Sequence, residues 1–309
     1  MTTVLSGPVV VAGGCGAVGT MLAAALRGDG HRVVLVDPAA TRPGPGMLPG
    51  DITDPAPQVA AALGSASTVI LAVPDAIAVA AVPALAGLLS PEALLVETLS
   101  VKTPVAAALH MYLPDRAALG INPMFAPALG AAGRAVLVVR HRDGTAVEAF
   151  VEALRRWELR VAEVDAAEHD RATATTQALT HAVVLAFGGA LDRLTPPPAA
   201  ASAAPPPHVL LRALLARITS GTPAVYHDIQ VANPYAADAR RALRDALDEL
   251  DAADDPERFA ALTARGYHAL GDDRDHYRAL CGDLFALLPP DLHAGGGVRN
   301  EVVRNEVVP

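Results

Sequence analysis

Apolar runs alternate with helical stretches along the first 164 residues of the chain. Short runs rich in valine, isoleucine and leucine recur at residues 9–12, 32–37, 67–73, 94–97, 135–139 and 160–164. Alanine- and leucine-rich segments separate most of them, and one predicted helix spans residues 145–157. Strands that are apolar at nearly every position are buried on both faces. The pattern therefore predicts a parallel sheet that is covered by helices on each side.

The pattern changes near residue 165, where long amphipathic helices replace the strands. Asp255, followed by Pro256 and Glu257, predicts a helix that begins with a side-chain cap. One later helix carries more apolar side chains than a single helical layer buries: Leu280, Leu284, Leu287 and Leu288. This excess indicates a homodimer interface. The predicted fold class is α/β, with a doubly wound parallel sheet over residues 1–164, an all-α dimerisation domain over 165–290 and a tail over 291–309.

Two segments near the C-terminal end leave alternatives open. Residues 196–207 are rich in proline and alanine and cannot be helical throughout, so they predict a surface loop or a pocket lid. Residues 299–308 repeat the sequence RNEVV twice after three glycines. Two copies are too few for a repeat fold, so the tail is an extended arm or a disordered end.

Composition narrows the possible functions. The chain has 309 residues, 52% of them hydrophobic and 18% charged, which is enough to bury the cores of two domains. The net charge of −9 argues against nucleic acid or anionic membrane as a partner. Cys15 and Cys281 match no disulfide or metal framework, which favours a reducing compartment. Residues 1–12 lack a basic segment, so the sequence predicts a cytoplasmic protein with no signal peptide or membrane span.

A glycine-rich loop follows the first predicted strand. Its sequence, GCGAVG, leads into a helical pattern, and Asp37 ends the second strand about 20 residues further on. Gly14 is expected to permit the tight turn, Gly16 to admit a pyrophosphate and Gly19 to allow close helix packing. The pattern predicts a Rossmann-type dinucleotide site that contains Gly14, Gly16, Ala17, Val18, Gly19, Asp37, Val73 and Pro74. Asp37 favours NAD over NADP because its carboxylate repels a 2′-phosphate, although the nearby Arg42 weakens that preference.

One lysine stands among the 24 basic side chains, at Lys102. Arginine fills every other basic position, so a compact ammonium is expected to be needed there. The predicted strand 94–97 leads directly into Ser100 and Lys102. Ligands of parallel sheets bind at the carboxyl ends of the strands. The turn is therefore expected to point at the cofactor.

Six motifs in order resemble the prephenate dehydrogenase family across residues 9–288. They are GCGAVG, ILAVP, VETLSVK, NPMFAP, AEHDRATATTQALTH and LLARITSGTPAVYHDI. The resemblance implies oxidative decarboxylation of prephenate or arogenate with a nicotinamide cofactor, and a Rossmann domain followed by a helical dimerisation domain. It also implies that Ser100 lies by the nicotinamide and that Lys102 orders the same turn. Arg217 corresponds to an arginine that binds a substrate carboxylate, and His181, with Gln177 one turn before it, corresponds to a histidine that faces the active site.

The chain departs from the family pattern at Asn122, where family members usually carry a histidine that acts as a base toward the ring C4 hydroxyl. An amide cannot act as a base, although its oxygen can accept a hydrogen bond. One hypothesis is that the group at C4 is an amine, so that the substrate is 4-amino-4-deoxyprephenate and the product is 4-aminophenylpyruvate, a precursor of 4-aminophenylalanine in specialised metabolism such as antibiotic biosynthesis. A second is a hydroxyl substrate with His181 or water as the base.

Other classes of function also remain open at this point. A regulatory, nicotinamide-binding homologue with little activity would tolerate the loss of the base. A reductase acting on imines or hydroxy acids would share the nucleotide motif but not NPMFAP and QALTH together. His169 and Asp170 are expected to serve as helix-capping and interdomain residues, because the sequence shows no third group to orient them.

Overall fold

An eight-stranded sheet forms the first part of the protein. The computed structural model describes residues 7–40, 44, 46–195, 197 and 203–289. Arg42, the tail 291–309 and half of the segment 196–207 lie outside the described residues. The strand order is β3-β2-β1-β4-β5-β6-β7-β8. The strands are β1 (Val9–Ala12), β2 (Val33–Asp37), β3 (Met47–Pro49), β4 (Thr68–Leu71), β5 (Leu94–Glu97), β6 (Ala118–Pro123), β7 (Ala135–Arg142) and β8 (Arg160–Glu163).

The six predicted strands are confirmed, and the structure adds two more. β3 has only three residues, which is too short for a pattern to reveal. β6 contains Gly120 and ends at Pro123, two residue types that are depleted in strands. β7 runs antiparallel to β6, whereas every other pair is parallel. The prediction of a parallel sheet is therefore correct for β1–β6, whereas β7 and β8 run in the opposite direction.

Helices cover both faces of the sheet, as the doubly wound prediction requires. One apolar core joins the sheet to α1 (Ala17–Gly28) and α5 (Thr145–Arg156). A second core, on the other face, joins it to α2 (Pro57–Ser65), α3 (Asp75–Leu88) and α4 (Thr103–Tyr112). Because strands of one direction leave their carboxyl ends at one edge, the loops after β1, β2, β4 and β5 share that edge.

The remaining described elements are helical. They are α6 (Ala166–Thr173), a π-helical turn (Ala174–Leu179), α7 (Thr180–Leu194), α8 (Pro206–Thr219), α9 (Pro223–Val231), α10 (Ala236–Asp251), α11 (Pro256–Ala269) and α12 (Arg274–Ala286). Asp255 caps α11 as predicted, because its Oδ1 accepts from the N–H groups of Glu257 and Arg258 at 2.9 Å each.

The described chain divides into two compact units. Of the described residues, those up to 180 and those at 222–241 belong to the first unit, and those at 181–221 and from 242 onward belong to the second. Helices that follow the sheet in sequence therefore contribute to the same unit as the sheet.

The continuous helix Ala166–Leu194 is long and apolar enough to cross a membrane by length and composition, and 17% of its most apolar window is buried. Its first two turns nevertheless carry the fully buried, hydrogen-bonded polar pair His169 and Asp170. That part of the helix is therefore packed inside the protein. Apolar side chains remain exposed on the other helices, including Leu280, Leu284 and Leu287.

Candidate active site

A cleft of about 370 Å³ opens where β1, β2 and β4 end. The loop after β1 supplies Gly13 and Gly16, and the turn after β4 supplies Val73 and Pro74. Asp37 closes a third side from the end of β2. Its lining is mostly apolar and includes the carboxylates of Asp37 and Asp51, which suits the flat base and the ribose of an adenosine.

The glycines of the loop have different roles from those expected. Gly13, not Gly14, has the left-handed φ of +77°, and a Cβ there would lie 2.1 Å from the Ala72 carbonyl oxygen. Gly14 instead lies against Leu35, where a Cβ would come within 2.6 Å of that side chain. At Gly19 a Cβ would lie 2.2 Å from the carbonyl oxygen of Gly13, which confirms the close packing of α1 on the loop. The tight turn is thus one residue earlier than the sequence motif predicts.

The loop presents unpaired backbone donors. α1 begins at Ala17 with Gly16 as its N-cap, and no side chain caps it. The N–H groups of the first turn, including those of Ala17 and Val18, therefore have no partner within the helix. A helix N-terminus of this kind stabilises a pyrophosphate. The residues present fit a dinucleotide.

Asp37 links the strand end to the loop. Its Oδ2 accepts from the N–H of Cys15 at 2.9 Å, and its Oδ1 accepts from the N–H of Ala39 at 2.8 Å. The side chain is only 8% exposed, and its carboxylate lies at the wall of the cleft. Each carboxylate oxygen has a second lone pair that can accept from a ribose hydroxyl.

The turn that contains Ser100 is held by a carboxylate from another loop. Asp75, in the first turn of α3, accepts from the N–H of Ser100 at 3.3 Å and from that of Val101 at 3.0 Å. Burial raises the pKa of Asp75 to about 6, although the hydrogen bond from Ser100 and the charge of Lys102 act in the opposite direction. The carboxyl group of Asp75 therefore holds the backbone of the turn at Ser100.

Lys102 is fully buried. Its Nζ donates to Oε2 of Glu97 at 2.7 Å and to the carbonyl of Ile121 at 3.0 Å. Oε1 of Glu97 pairs with Nε2 of His141 at 2.9 Å. Burial alone would raise the pKa of Glu97, but the Lys102 ammonium and His141 outweigh it and lower the pKa. Lys102 has no surface left for a ligand, so the structure makes it a positioning residue and not a group that touches substrate.

A second buried chain of hydrogen bonds begins at Asp170. Its two oxygens accept from the N–H groups of Lys102, at 2.7 Å, and Thr103, at 2.8 Å, at the start of α4. Oδ1 of Asp170 also lies 2.9 Å from Nδ1 of His169, and Nε2 of His169 lies 3.0 Å from Nδ2 of Asn122. Asp170 thus caps α4 and not its own helix α6, whose N-cap is Asp165. The expectation that no third group orients the pair is wrong.

Asn122 and Gln177 carry amide oxygens with no donor among the described residues. Asn122 is 5% exposed, and its one hydrogen bond among those residues is the Nδ2 contact with His169. Gln177 lies in the π-helical turn, its Nε2 contacts Sδ of Met124 at 3.8 Å, and its buried Oε1 accepts no hydrogen bond within the described structure. Met124 follows β6 two residues after Asn122, so both amides lie along the end of one strand.

His181 and Arg217 belong to the other compact unit. Burial lowers the pKa of His181, and the positive charge of Arg217 lowers it further. A neutral imidazole at physiological pH can accept a proton. Arg217 lies in the last turn of α8 and is exposed.

Comparison with known proteins decides the family. Residues 165–283 match the family model of the prephenate dehydrogenase dimerization domain, which starts at the predicted domain boundary. The chain is 46% identical over 288 residues to the 4-amino-4-deoxyprephenate dehydrogenase of Streptomyces pristinaespiralis, covering 91% of this chain and 97% of that one. The chain belongs to the prephenate dehydrogenase family. The resemblance seen in its motifs is thereby confirmed.

Solved structures agree with this fold. A Corynebacterium glutamicum protein assigned as a prephenate dehydrogenase superposes with a TM-score of 0.69 at 18% identity, covering 90% of each chain. The prephenate dehydrogenase of A. aeolicus, solved with hydroxyphenyl propionate and NAD⁺, gives a TM-score of 0.66 at 17% identity, covering 86% of this chain and 97% of that one. At this identity the likeness concerns the fold alone.

Sequence reasoning missed several polar residues that shape the site of this family member. Asp75 and His141 belong to none of the motifs. Glu97 was recognised only as the last residue of a predicted strand. One signal was available at Gly120: a glycine inside a strand indicates close approach of another group. A Cβ at Gly120 would lie 2.2 Å from Oε1 of Glu97 and 2.9 Å from Nε2 of His141.

Proposed function

We propose that this protein is an NAD-dependent dehydrogenase that converts 4-amino-4-deoxyprephenate to 4-aminophenylpyruvate and carbon dioxide. Asn122 carries the proposal. It occupies the position of the family base, and it is a buried amide whose nitrogen is engaged by His169. The relative from S. pristinaespiralis, named for the amino substrate, supports the same assignment.

The neutral form of the amino substrate, which has already released its ammonium proton to water, needs no base on the protein. Hydride leaves ring C4, the bond to the ring carboxylate breaks, and its electron pair enters the ring as carbon dioxide departs. The amine lone pair assists the departure of hydride, and the nitrogen keeps its protons in the aromatic product. Asn122 then has only to accept a hydrogen bond from an N–H, which an amide oxygen can do.

NAD, when bound, accepts the hydride, and the residues of the first unit fit its adenosine half. Asp37 offers carboxylate lone pairs to the ribose and opposes a 2′-phosphate, which favours NAD over NADP. Ala17 and Val18 present backbone donors for the pyrophosphate, and Gly16, whose own N–H donates to the carbonyl of Gly13, leaves the space beside them free of a side chain. Ser100, held by Asp75, follows β5 at the same edge of the sheet and is assigned to the nicotinamide side.

Two further residues are proposed to bind the substrate. Arg217 is proposed to hold a substrate carboxylate, because a guanidinium binds a carboxylate in bidentate fashion. Gln177 is proposed to face the substrate with its buried Oε1, which has no donor among the described residues. In this proposal neutral amides recognise the group at C4, and a cation recognises a carboxylate.

The second candidate is a prephenate or arogenate dehydrogenase with His181 as the substitute base. The lowered pKa of His181 favours this reading, since a neutral imidazole can accept the hydroxyl proton. His169 is also neutral in this environment, but its Nε2 already accepts from Asn122. His181 or a water molecule would take the proton in this mechanism.

The assembly is proposed to be a cytoplasmic homodimer. The dimerisation-domain match and the exposed Leu280, Leu284 and Leu287 support a helical interface. Several solvent-exposed leucines near one another in sequence are typical of a surface that a second copy of the chain covers.

The test is an assay of NADH formation. The purified protein is mixed with NAD or NADP and, separately, with prephenate, arogenate and 4-amino-4-deoxyprephenate. We expect the highest kcat/KM with NAD and the amino substrate. Absence of reduced cofactor with all three substrates would refute the dehydrogenase assignment. A higher kcat/KM with prephenate would refute the amino substrate and favour the His181 mechanism.

A further inference from the structure

The orientation of the Asn122 amide is set by residues behind it. Asp170 is ionised, because the hydrogen bonds from His169, Thr103 and Lys102 outweigh its burial and lower its pKa. An ionised carboxylate can only accept. Its Oδ1 lies 2.9 Å from Nδ1 of His169, so that ring nitrogen carries a proton.

The other ring nitrogen of His169 follows from its charge state. His169 has no exposed surface, and burial lowers its pKa, with the nearby Lys102 charge adding to the effect and the Asp170 hydrogen bond opposing it. The imidazole is therefore neutral near pH 7, with its one proton on Nδ1. Nε2 then has a lone pair and no hydrogen, and it can only accept.

The amide of Asn122 must turn its NH₂ group toward His169 as a result. The 3.0 Å contact joins Nδ2 of Asn122 to Nε2 of His169. Turning the amide by 180° would place Oδ1 of Asn122 against the lone pair of Nε2 of His169. Two buried acceptors would then face each other without a hydrogen between them. That arrangement leaves two buried groups unsatisfied and costs about 2–6 kcal/mol, from roughly 1–3 kcal/mol for each. The amide has one stable orientation, and in it Oδ1 is left for a ligand.

We propose that Asp170 and His169 are specificity-determining positioning residues, which lock Asn122 so that it presents an acceptor to the substrate ring. This inference rests on the proposed function and extends it. A neutral amine at C4 donates an N–H to the locked oxygen and keeps its lone pair for the departure of hydride, whereas a hydroxyl that donates to the same oxygen still needs a base, which an amide cannot be. The site therefore selects the amine through a series of hydrogen bonds. The N–H groups of Lys102 and Thr103 hold Asp170, and Asp170 sets the tautomer of His169. His169 in turn sets the orientation of the Asn122 amide.

The direct test is the tautomer of His169 in the intact protein. Histidine-selective ¹⁵N labelling and long-range ¹H–¹⁵N spectra distinguish a protonated ring nitrogen from an unprotonated one. Comparison with the His169→Gln spectrum, or with that of His169→Asn if the first variant does not fold, assigns the signals. We expect a protonated Nδ1 and an unprotonated Nε2 at pH 7.5, with and without NAD. A protonated Nε2, in either a neutral or a charged ring, would overturn the proposal.

The functional test uses the same glutamine variant. The glutamine amide introduced by His169→Gln can rotate and present either its oxygen or its NH₂ group to Asn122. Asn122 is therefore no longer held in one orientation. We expect the ratio of kcat/KM for the amino substrate to that for prephenate to fall about tenfold, the equivalent of one hydrogen bond, mainly through KM for the amino substrate. The dissociation constant of NAD should stay within twofold. The exposed His110→Gln on α4 is the matched control, and its ratio should not change.

The outcomes separate this inference from the proposed function. A folded His169→Gln protein that keeps the wild-type ratio would overturn the positioning role and leave the amino substrate intact. A wild-type protein that prefers prephenate would overturn the proposed function, and the tautomer would still decide whether His169 fixes Asn122. If neither His169 variant folds, the Asn122→Asp variant assigns the spectrum. The wild-type histidine signals that shift in this variant are then those of His169.

Discussion

The cofactor cleft and the polar groups beneath the substrate end of the site are built in different ways. The cleft is formed mostly by backbone, with glycines that admit no Cβ and helix N–H groups with no partner. The buried network, which we define as Glu97, Lys102, His141, His169 and Asp170, is formed by side chains from β5, the turn after it, β7 and α6. The first arrangement binds a common ligand, whereas the second sets the orientation of one amide and thereby the choice of substrate.

The largest expected effect comes from breaking the buried network at its ion pair. Lys102→Met leaves Glu97 charged and buried, which should lower the free energy of unfolding by about 3–5 kcal/mol. The double variant Glu97→Gln/Lys102→Met removes both charges and should recover much of the loss. Chemical denaturation measures both. Arg258→Met, at an exposed ion pair on α11, is the control and should cost less than about 1 kcal/mol. Equal losses at the two sites would show that burial of the pair has no special effect.

The second effect concerns the backbone of the cleft. Gly13→Ala places a Cβ 2.1 Å from the Ala72 carbonyl at a φ of +77°, so we expect a loss of about 2–4 kcal/mol and much weaker NAD binding. Gly28→Ala, at the end of α1 with open space around it, should be neutral or slightly stabilising. Denaturation and NAD titration by fluorescence provide the measurements. Normal NAD affinity in Gly13→Ala would contradict the account of the turn.

The third effect concerns the choice between NAD and NADP. Asp37→Ser keeps one oxygen for the loop but removes the charge that opposes a 2′-phosphate. We expect the ratio of the NADP and NAD dissociation constants to fall at least about tenfold. Asp51→Ser is the control, because Asp51 lines the same cleft but pairs with Thr53 in its own turn. An unchanged ratio in Asp37→Ser would remove Asp37 from cofactor selection.

The smallest effect is a pH dependence of stability at Asp75. Its folded pKa of about 6 lies above the ordinary value of 3.8, so the folded state binds the proton more tightly than the unfolded state. The stabilisation is therefore fully present below about pH 4 and is lost as pH rises through 6. Relative to Asp75→Asn, the wild type should lose about 1 kcal/mol of unfolding free energy between pH 5 and pH 8. Other titrating groups cancel in the difference. A wild type that gains stability over this interval would show that the sign is wrong.

The same contrast explains what the sequence could predict. The cleft follows local rules, so the strand, loop, helix and Asp37 were all predicted, with the tight turn displaced by one residue to Gly13. The six apolar strands were predicted because burial on both faces leaves a continuous pattern. β6 was missed because Gly120 and Pro123 interrupt it, although it carries Asn122.

The buried network could not be predicted, because its contacts join residues far apart in the chain. Lys102 and Asp170 are 68 residues apart, and Asn122 and His169 are 47 apart. A single sequence shows the unusual residue, Lys102 or Asn122, but not its partner. Only the fold brings His169 behind Asn122 and gives the amide its direction.

The central claim is that Asn122, in place of a base, selects an amine at ring C4, and exchange of this one residue tests it most directly. The measurement is kcat/KM for 4-amino-4-deoxyprephenate and for prephenate in the wild type and in Asn122→His, with NAD saturating. We predict that the wild type prefers the amino substrate and that the histidine variant gains about 100-fold on prephenate, the contribution of a general base. Unchanged activity of the variant on prephenate would mean that another group supplies the base, and the claim would be wrong.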